Sequence, residues 1–122
     1  MARILIVEDE LAIREFIRMV LTSHNHNVDT AADGVEAVEA VRKTKYDVVF
    51  MDWKMPRMGG IQALAIIRAN PKCQNVKVIM CTLASLTKEV EEAFAAGAND
   101  YILKPFNVEM LLAKVQKALG QA

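Results

Sequence analysis

Five short apolar runs alternate with five stretches of helical period, and this alternation constrains the fold more than any other feature of the chain. The runs are Ile4–Val7, roughly Asn27–Ala31, Val48–Met51, Val76–Cys81 and Tyr101–Leu103. After the first, Ile13, Phe16, Ile17, Val20 and Leu21 share one stripe of a helix, with Arg14, Glu15 and Arg18 opposite. The second helix begins at Asp33, a good N-cap, with Glu36 three residues on as in a capping box. The third follows Gly59-Gly60, carries Ile61, Leu64 and Ile67, and stops at Asn70-Pro71. The fourth carries Leu86, Val90 and Phe94 and ends at Gly97. The last carries Val108, Leu111, Leu112, Val115 and Leu119.

Strand–helix alternation implies an α/β doubly wound parallel sheet, with helices on both faces and right-handed crossovers. The first, third and fourth runs are apolar without interruption, as interior parallel strands are. At 122 residues, with no linker, repeat or low-complexity tract, residues 1–122 read as a single domain. Lys+Arg and Asp+Glu are 15 each, so the basic footprint of a nucleic-acid binder is missing. No apolar run approaches the ~20 residues that span a bilayer. The N-terminal run turns acidic at Glu8, unlike a secretory signal. Cys73 and Cys81 form no CxxC and have no histidine nearby, so they read as reduced thiols of a cytoplasmic protein. His24 and His26, between the first helix and the second strand, read as solvated loop residues.

The chemistry gathers at the strand ends. Val48-Val49-Phe50-Met51 closes on Asp52, and Ile4-Leu5-Ile6-Val7 runs into Glu8-Asp9-Glu10. Thr82 and Lys104 follow the fourth and fifth runs. In sheets of this kind ligands bind beyond the carboxyl ends of the strands, where strand order reverses. Acids brought close raise one another's pKa or demand a cation, and an all-oxygen donor set suits a hard ion such as Mg²⁺. A phosphoryl group arriving at Asp52 would find such an ion held by Asp9, Asp52 and a backbone carbonyl, with Glu8 acting through water. Lys104 could pair with one phosphoryl oxygen, and the Thr82 hydroxyl could bond another. Positioning and electrostatic stabilisation are nearly all that phosphoryl transfer asks of a protein. Asp52 would be the nucleophile, giving an aspartyl phosphate.

The acid pair Glu8-Asp9, the segment Asp52-Trp53-Lys54-Met55-Pro56 with Gly59-Gly60, Thr82, and Asp100-Tyr101-Ile102-Leu103-Lys104-Pro105-Phe106 occur in order at strand ends. With these motifs the chain resembles response-regulator receiver domains (CheY-like) of two-component signalling, over essentially its whole length. The resemblance implies a flavodoxin-like (βα)5 fold with strand order 2-1-3-4-5. It implies that a histidine kinase or histidine phosphotransfer protein phosphorylates Asp52. It implies magnesium at Glu8, Asp9, Asp52 and the Lys54 backbone carbonyl. It implies a switch in which Thr82 moves toward the phosphoryl group and Tyr101 turns inward. The face of the fourth helix, fifth strand and fifth helix then changes its affinity for a downstream protein target or output domain. The Lys104-Pro105 bond is expected to be cis. A monomer is expected, with the same face serving a phosphorylation-linked dimer.

Some residues depart from that pattern. Leu83 stands where Ala or Gly is usual and could narrow access to Asp52. Lys54 and Ala84, two residues past Asp52 and Thr82, occupy the positions that set phosphoryl lifetime in the family; Lys54 is expected to slow hydrolysis. Glu8 replaces a frequent Asp. Taken alone, each residue has a blander reading: Asp52 as a surface acid, Thr82 as a turn residue, Lys104 as a solvated strand end, Tyr101 as a half-buried sheet aromatic. Trp53 is either a partner anchor or loop packing, the seven methionines read mostly as core filler, and Glu89, Glu91 and Glu92 as a solvated face. Three other functions compete. A haloacid-dehalogenase-type phosphatase would need an acid where Lys54 stands. A flavin or nucleotide module would need a phosphate loop where Glu8-Asp9-Glu10 repels phosphate. A docking-only receiver would have lost part of the acid, Asp52 or Lys104 set.

Overall fold

The computed structural model describes residues 2–83 and 87–120; Ala84 and Leu86 fall outside them. The elements run β1 (Arg3–Val7), α1 (Leu11–Ser23), β2 (Asn27–Ala31), α2 (Gly34–Lys43), β3 (Val48–Asp52), α3 (Gly60–Ala69), β4 (Lys77–Thr82), α4 (Thr87–Ala95), β5 (Asp100–Leu103) and α5 (Val108–Ala118). The strands form one parallel sheet in the order β2-β1-β3-β4-β5, as the resemblance implied. Two ends differ from the sequence expectation in a way that matters. β3 runs through Asp52 and β4 through Thr82, because Asp52 pairs with Cys81 and Thr82 with Leu103 in the ladder. These polar residues are the last rungs of the sheet, not the first residues of loops.

The strands' period of two deals their side chains to two separate cores. Leu5, Val7, Val49, Met51, Val78 and Met80 face α2, α3 and α4, where Leu64 and Ile67 are buried. Ile4, Ile6, Val48, Phe50, Ile79 and Ile102 face α1 and α5, where Ile17, Leu21, Leu111 and Val115 are buried. Each large apolar side chain so buried stabilises the fold by about 1.5–3 kcal/mol. Cys73 and Cys81 are both free and buried, one in each core, so the sheet separates them. β2 is an edge strand, with Asn27, Asp29 and Thr30 exposed.

Several local expectations need correction. Asp33 does cap α2, accepting the Glu36 N–H at 2.9 Å, but the Glu36 carboxylate reaches past the cap to the N–H of Ala32 at 3.0 Å. Phe16 lies on the expected stripe of α1 yet is 44% exposed, because Ile17 and Leu21 already fill the contact with the sheet. His26 is half-buried rather than solvated, and its Nδ1 accepts the Ala2 N–H at 3.1 Å. Met51 and Met80 are core residues, whereas Met19 and Met110 are exposed.

Candidate functional site at the carboxyl ends of the strands

The strand register explains why distant acids meet. Ile6 pairs with Phe50 across β1 and β3, so Glu8 and Asp52, each two residues further on, come level on the same side of the sheet. Asp52 pairs with Cys81, and Cys81 with Ile102, so Lys104 lies two residues beyond that row, just past the end of β5. Its long side chain bends back across the sheet. Nζ lies 2.8 Å from Asp52 Oδ1 and 2.9 Å from Glu8 Oε1. The Lys104 N–H bonds the Thr82 carbonyl at 2.8 Å, and the Lys104–Pro105 bond is cis as expected. Carboxylate oxygens of Glu8, Asp9 and Asp52 lie within 4.8 Å of one another.

Glu8 and Asp52 are buried, whereas Asp9 is exposed. Burial lifts the Glu8 carboxyl to about 7 against the pull of Lys104, and burial likewise raises Asp52. Burial works to lower Lys104, but its bonds to Asp52 and Glu8 outweigh that and hold the ammonium more firmly than usual. Three carboxyl groups thus gather around one ammonium, which leaves a surplus of negative charge once they ionise. An oxygen-only cluster with that surplus fits a small divalent cation. Glu8 is the most deeply buried of the three acids. It is 2% exposed, and its carboxylate also accepts the Glu10 N–H at 3.2 Å.

Asp9 and Asp52 open onto a cleft of about 360 Å³ lined also by Trp53, Lys54, Thr82, Leu83 and Glu89. Asp52 Oδ1 accepts the Trp53 N–H at 3.0 Å, and the Trp53 ring packs half-buried against the α2/α3 core. Thr82 is buried at the cleft wall. Leu83 is 80% exposed and borders the cleft without filling it. Tyr101 stands away from the acids. Its ring meets Phe94 of α4 edge to face at 6.2 Å, and Lys114 of α5 lies 5.3 Å from its centre. Sequence reading missed Glu89 as a cleft residue and took it for part of a solvated face. Its place on α4 gives no signal until the helix is docked.

A family model described as the response regulator receiver domain matches residues 4–116. The chain belongs to the response regulator receiver domain family. The receiver domain is 36% identical over 119 residues to Response regulator ArlR of Staphylococcus aureus (strain Mu50), covering 98% of this chain and 53% of that protein. It therefore spans about half the length of the curated relatives it matches. Among solved structures it resembles the chemotaxis response regulator CheY4 of Vibrio cholerae, with a TM-score of 0.93 and 33% identity over 97% of this chain and 98% of that one. It also resembles the receiver domain of sensor histidine kinase PA1611 from Pseudomonas aeruginosa PAO1, with a TM-score of 0.90 and 33% identity over 98% of each chain. That structure has a magnesium ion coordinated in its active site cleft. Among the described residues of this receiver domain, no helix is long and apolar enough to cross a membrane.

Proposed function

We propose that this receiver domain takes a phosphoryl group onto Asp52 from a histidine kinase or histidine phosphotransfer protein, with Mg²⁺ as the required cation. The observation that carries this is the meeting of Lys104 Nζ with Asp52 Oδ1 at 2.8 Å beside three clustered carboxylates. Asp9, Asp52 and the Lys54 carbonyl would hold the ion, with Glu8 behind them. When bound, the ion supplies charge neutralisation at the phosphoryl oxygens. An Asp52 carboxylate oxygen attacks phosphorus, so a P–O bond forms as the P–N bond of the phosphohistidine breaks. The imidazole leaves with the bonding pair and takes a proton from water. Lys104 exchanges a carboxylate for a phosphoryl oxygen, and the Thr82 hydroxyl bonds another. The domain is a phosphoacceptor rather than an enzyme with a separate substrate.

Two further observations support the reading. An apolar groove of about 440 Å³ adjoins the cleft and is lined by Ile13, Phe16, Leu83, Pro105 and Phe106, which suits a protein donor. Tyr101 touches both α4 and α5, so movement of Thr82 and Tyr101 would reshape the α4–β5–α5 face toward a downstream target or output domain. Lys54 and Ala84 are the lifetime-setting positions in this reading, and Ala84 lies outside the described residues. The setting is cytoplasmic, and the domain is a monomer whose α4–β5–α5 face is available to pair two copies on phosphorylation. Incubation with acetyl phosphate and Mg²⁺, followed by intact mass, tests the chemistry. One phosphoryl is gained, it needs Mg²⁺, and it vanishes in Asp52→Ala. No gain at any Mg²⁺ concentration would sink the proposal.

A further inference from the structure

We propose that the ion pair between Arg57 and Asp33 is a latch that positions the loop after Asp52 and thereby tunes the affinity of the acid cleft for its divalent cation. The inference rests on the cation-binding reading given above. The loop, residues 53–59, carries Lys54 along the cleft. At its base the Gly60 N–H bonds the Trp53 carbonyl at 2.8 Å, which closes the loop on itself. At its far end the backbone is strained. Arg57 has φ +65, and the Met58 N–H bonds the Pro56 carbonyl two residues back at 2.7 Å. That is a γ-turn of the uncommon hand, which an arginine adopts only when its surroundings hold it there.

What holds it is α2. Arg57 Nε lies 2.7 Å from Asp33 Oδ2, and one terminal nitrogen lies 3.9 Å from Glu36 Oε2. The Gly34 N–H bonds the Met58 carbonyl at 3.1 Å, and a Cβ at Gly34 would come within 2.5 Å of that oxygen. The Asp33 side chain is 7% exposed and engaged through both oxygens, Oδ1 capping α2 and Oδ2 taking Arg57. One half of this pair is therefore buried and fixed, unlike an ordinary surface ion pair. Lys54, Met55 and Pro56 lie between the two anchors. Their placement follows from where Arg57 is fastened, so Arg57 and Asp33 act as positioning residues at a distance from the cation.

Trp53 is the sole tryptophan and lines the cleft, so its fluorescence reports Mg²⁺ directly, with calorimetry as the independent measure. Arg57→Ala is expected to weaken Mg²⁺ severalfold, less than the loss of a partner bonded directly to a ligand. Asp33→Asn, which keeps an oxygen for the cap, should give the same loss. The double variant should lose no more than either single, and Arg57→Lys should recover part. In the metal-free protein, amide exchange in residues 54–58 should quicken in Arg57→Ala while α2 and the sheet hold. Unchanged loop exchange, or affinities equal to the parent, overturns the latch, and so do losses that add in the double variant. Quickened exchange with no Mg²⁺ binding by the parent protein overturns instead the cation reading on which the proposal stands, and the link to affinity with it.

Discussion

Lys104 and Asp52 are joined by a 2.8 Å contact although β4 lies between the strands that carry them. Neighbouring strands are about 4.8 Å apart, so two strand spacings must be bridged. A lysine stem is long enough for this. The contact also offsets part of the repulsion among the acids clustered at the end of the sheet. One ammonium does not balance three ionised carboxylates, and the surplus of negative charge suits a cation.

That surplus predicts metal-dependent stability. Mg²⁺ at 100 times its dissociation constant should add about 2.7 kcal/mol to unfolding, and chelation should remove it. Asp9→Asn removes an exposed carboxylate of the proposed cation site without touching the buried pair. Its thermal midpoint should match the parent without Mg²⁺ and rise less with it. An equal rise in both proteins would show that Asp9 does not hold the ion.

Gly60 sets the height of the β3 tip. A Cβ there would collide with the Asp52 carbonyl and come within 2.9 Å of Met80 Cε. Gly60→Ala should therefore cost roughly 1–3 kcal/mol in urea unfolding, the range for forcing atoms into a packed site. It should also slow phosphoryl uptake, since the displaced backbone is that of Asp52, the proposed acceptor.

Lys54 lines the cleft and is exposed. If its side chain obstructs the water that attacks the aspartyl phosphate, Lys54→Ala should lose its phosphoryl group severalfold faster, followed by intact mass after removal of the donor. An unchanged decay rate would show that the chain lies clear of the water's path.

Tyr46 predicts behaviour in base. It is buried, donates to Asp29 Oδ2 at 2.7 Å, and burial followed by that carboxylate pushes its pKa up to about 12 from 10.0. The folded state then keeps its proton longer than the unfolded state. The stabilisation is complete below pH 10 and lost as pH rises toward 12. Absorbance of tyrosinate should show Tyr46 titrating late. Tyr46→Phe should remove that late step and cost about 1 kcal/mol at neutral pH.

Much of this was legible in the sequence, for identifiable reasons. Uninterrupted apolar runs mark interior strands, and the acids, Thr82 and Lys104 could be placed at strand ends by counting. Which oxygen meets which nitrogen could not be read, because that depends on register between strands up to 96 residues apart in sequence, as for Lys104 and Glu8. The Arg57–Asp33 pair was invisible for a similar reason. Arginine carries no preference for positive φ, so nothing at position 57 announces a turn. Phe16 misled in the opposite sense: helical period reports which residues share a face, not how wide a face the sheet covers.

The helices are not held equally. Ala93 is the one fully buried side chain of α4 among the described residues, whereas α3 buries Ala63, Leu64 and Ile67. A single methyl group gives little resistance to detachment. Hydrogen exchange should therefore find α4 opening at the lowest free energy of the five helices, with the sheet beneath it undisturbed. The wall of the cleft that carries Glu89 is then the hinged panel of an otherwise rigid box.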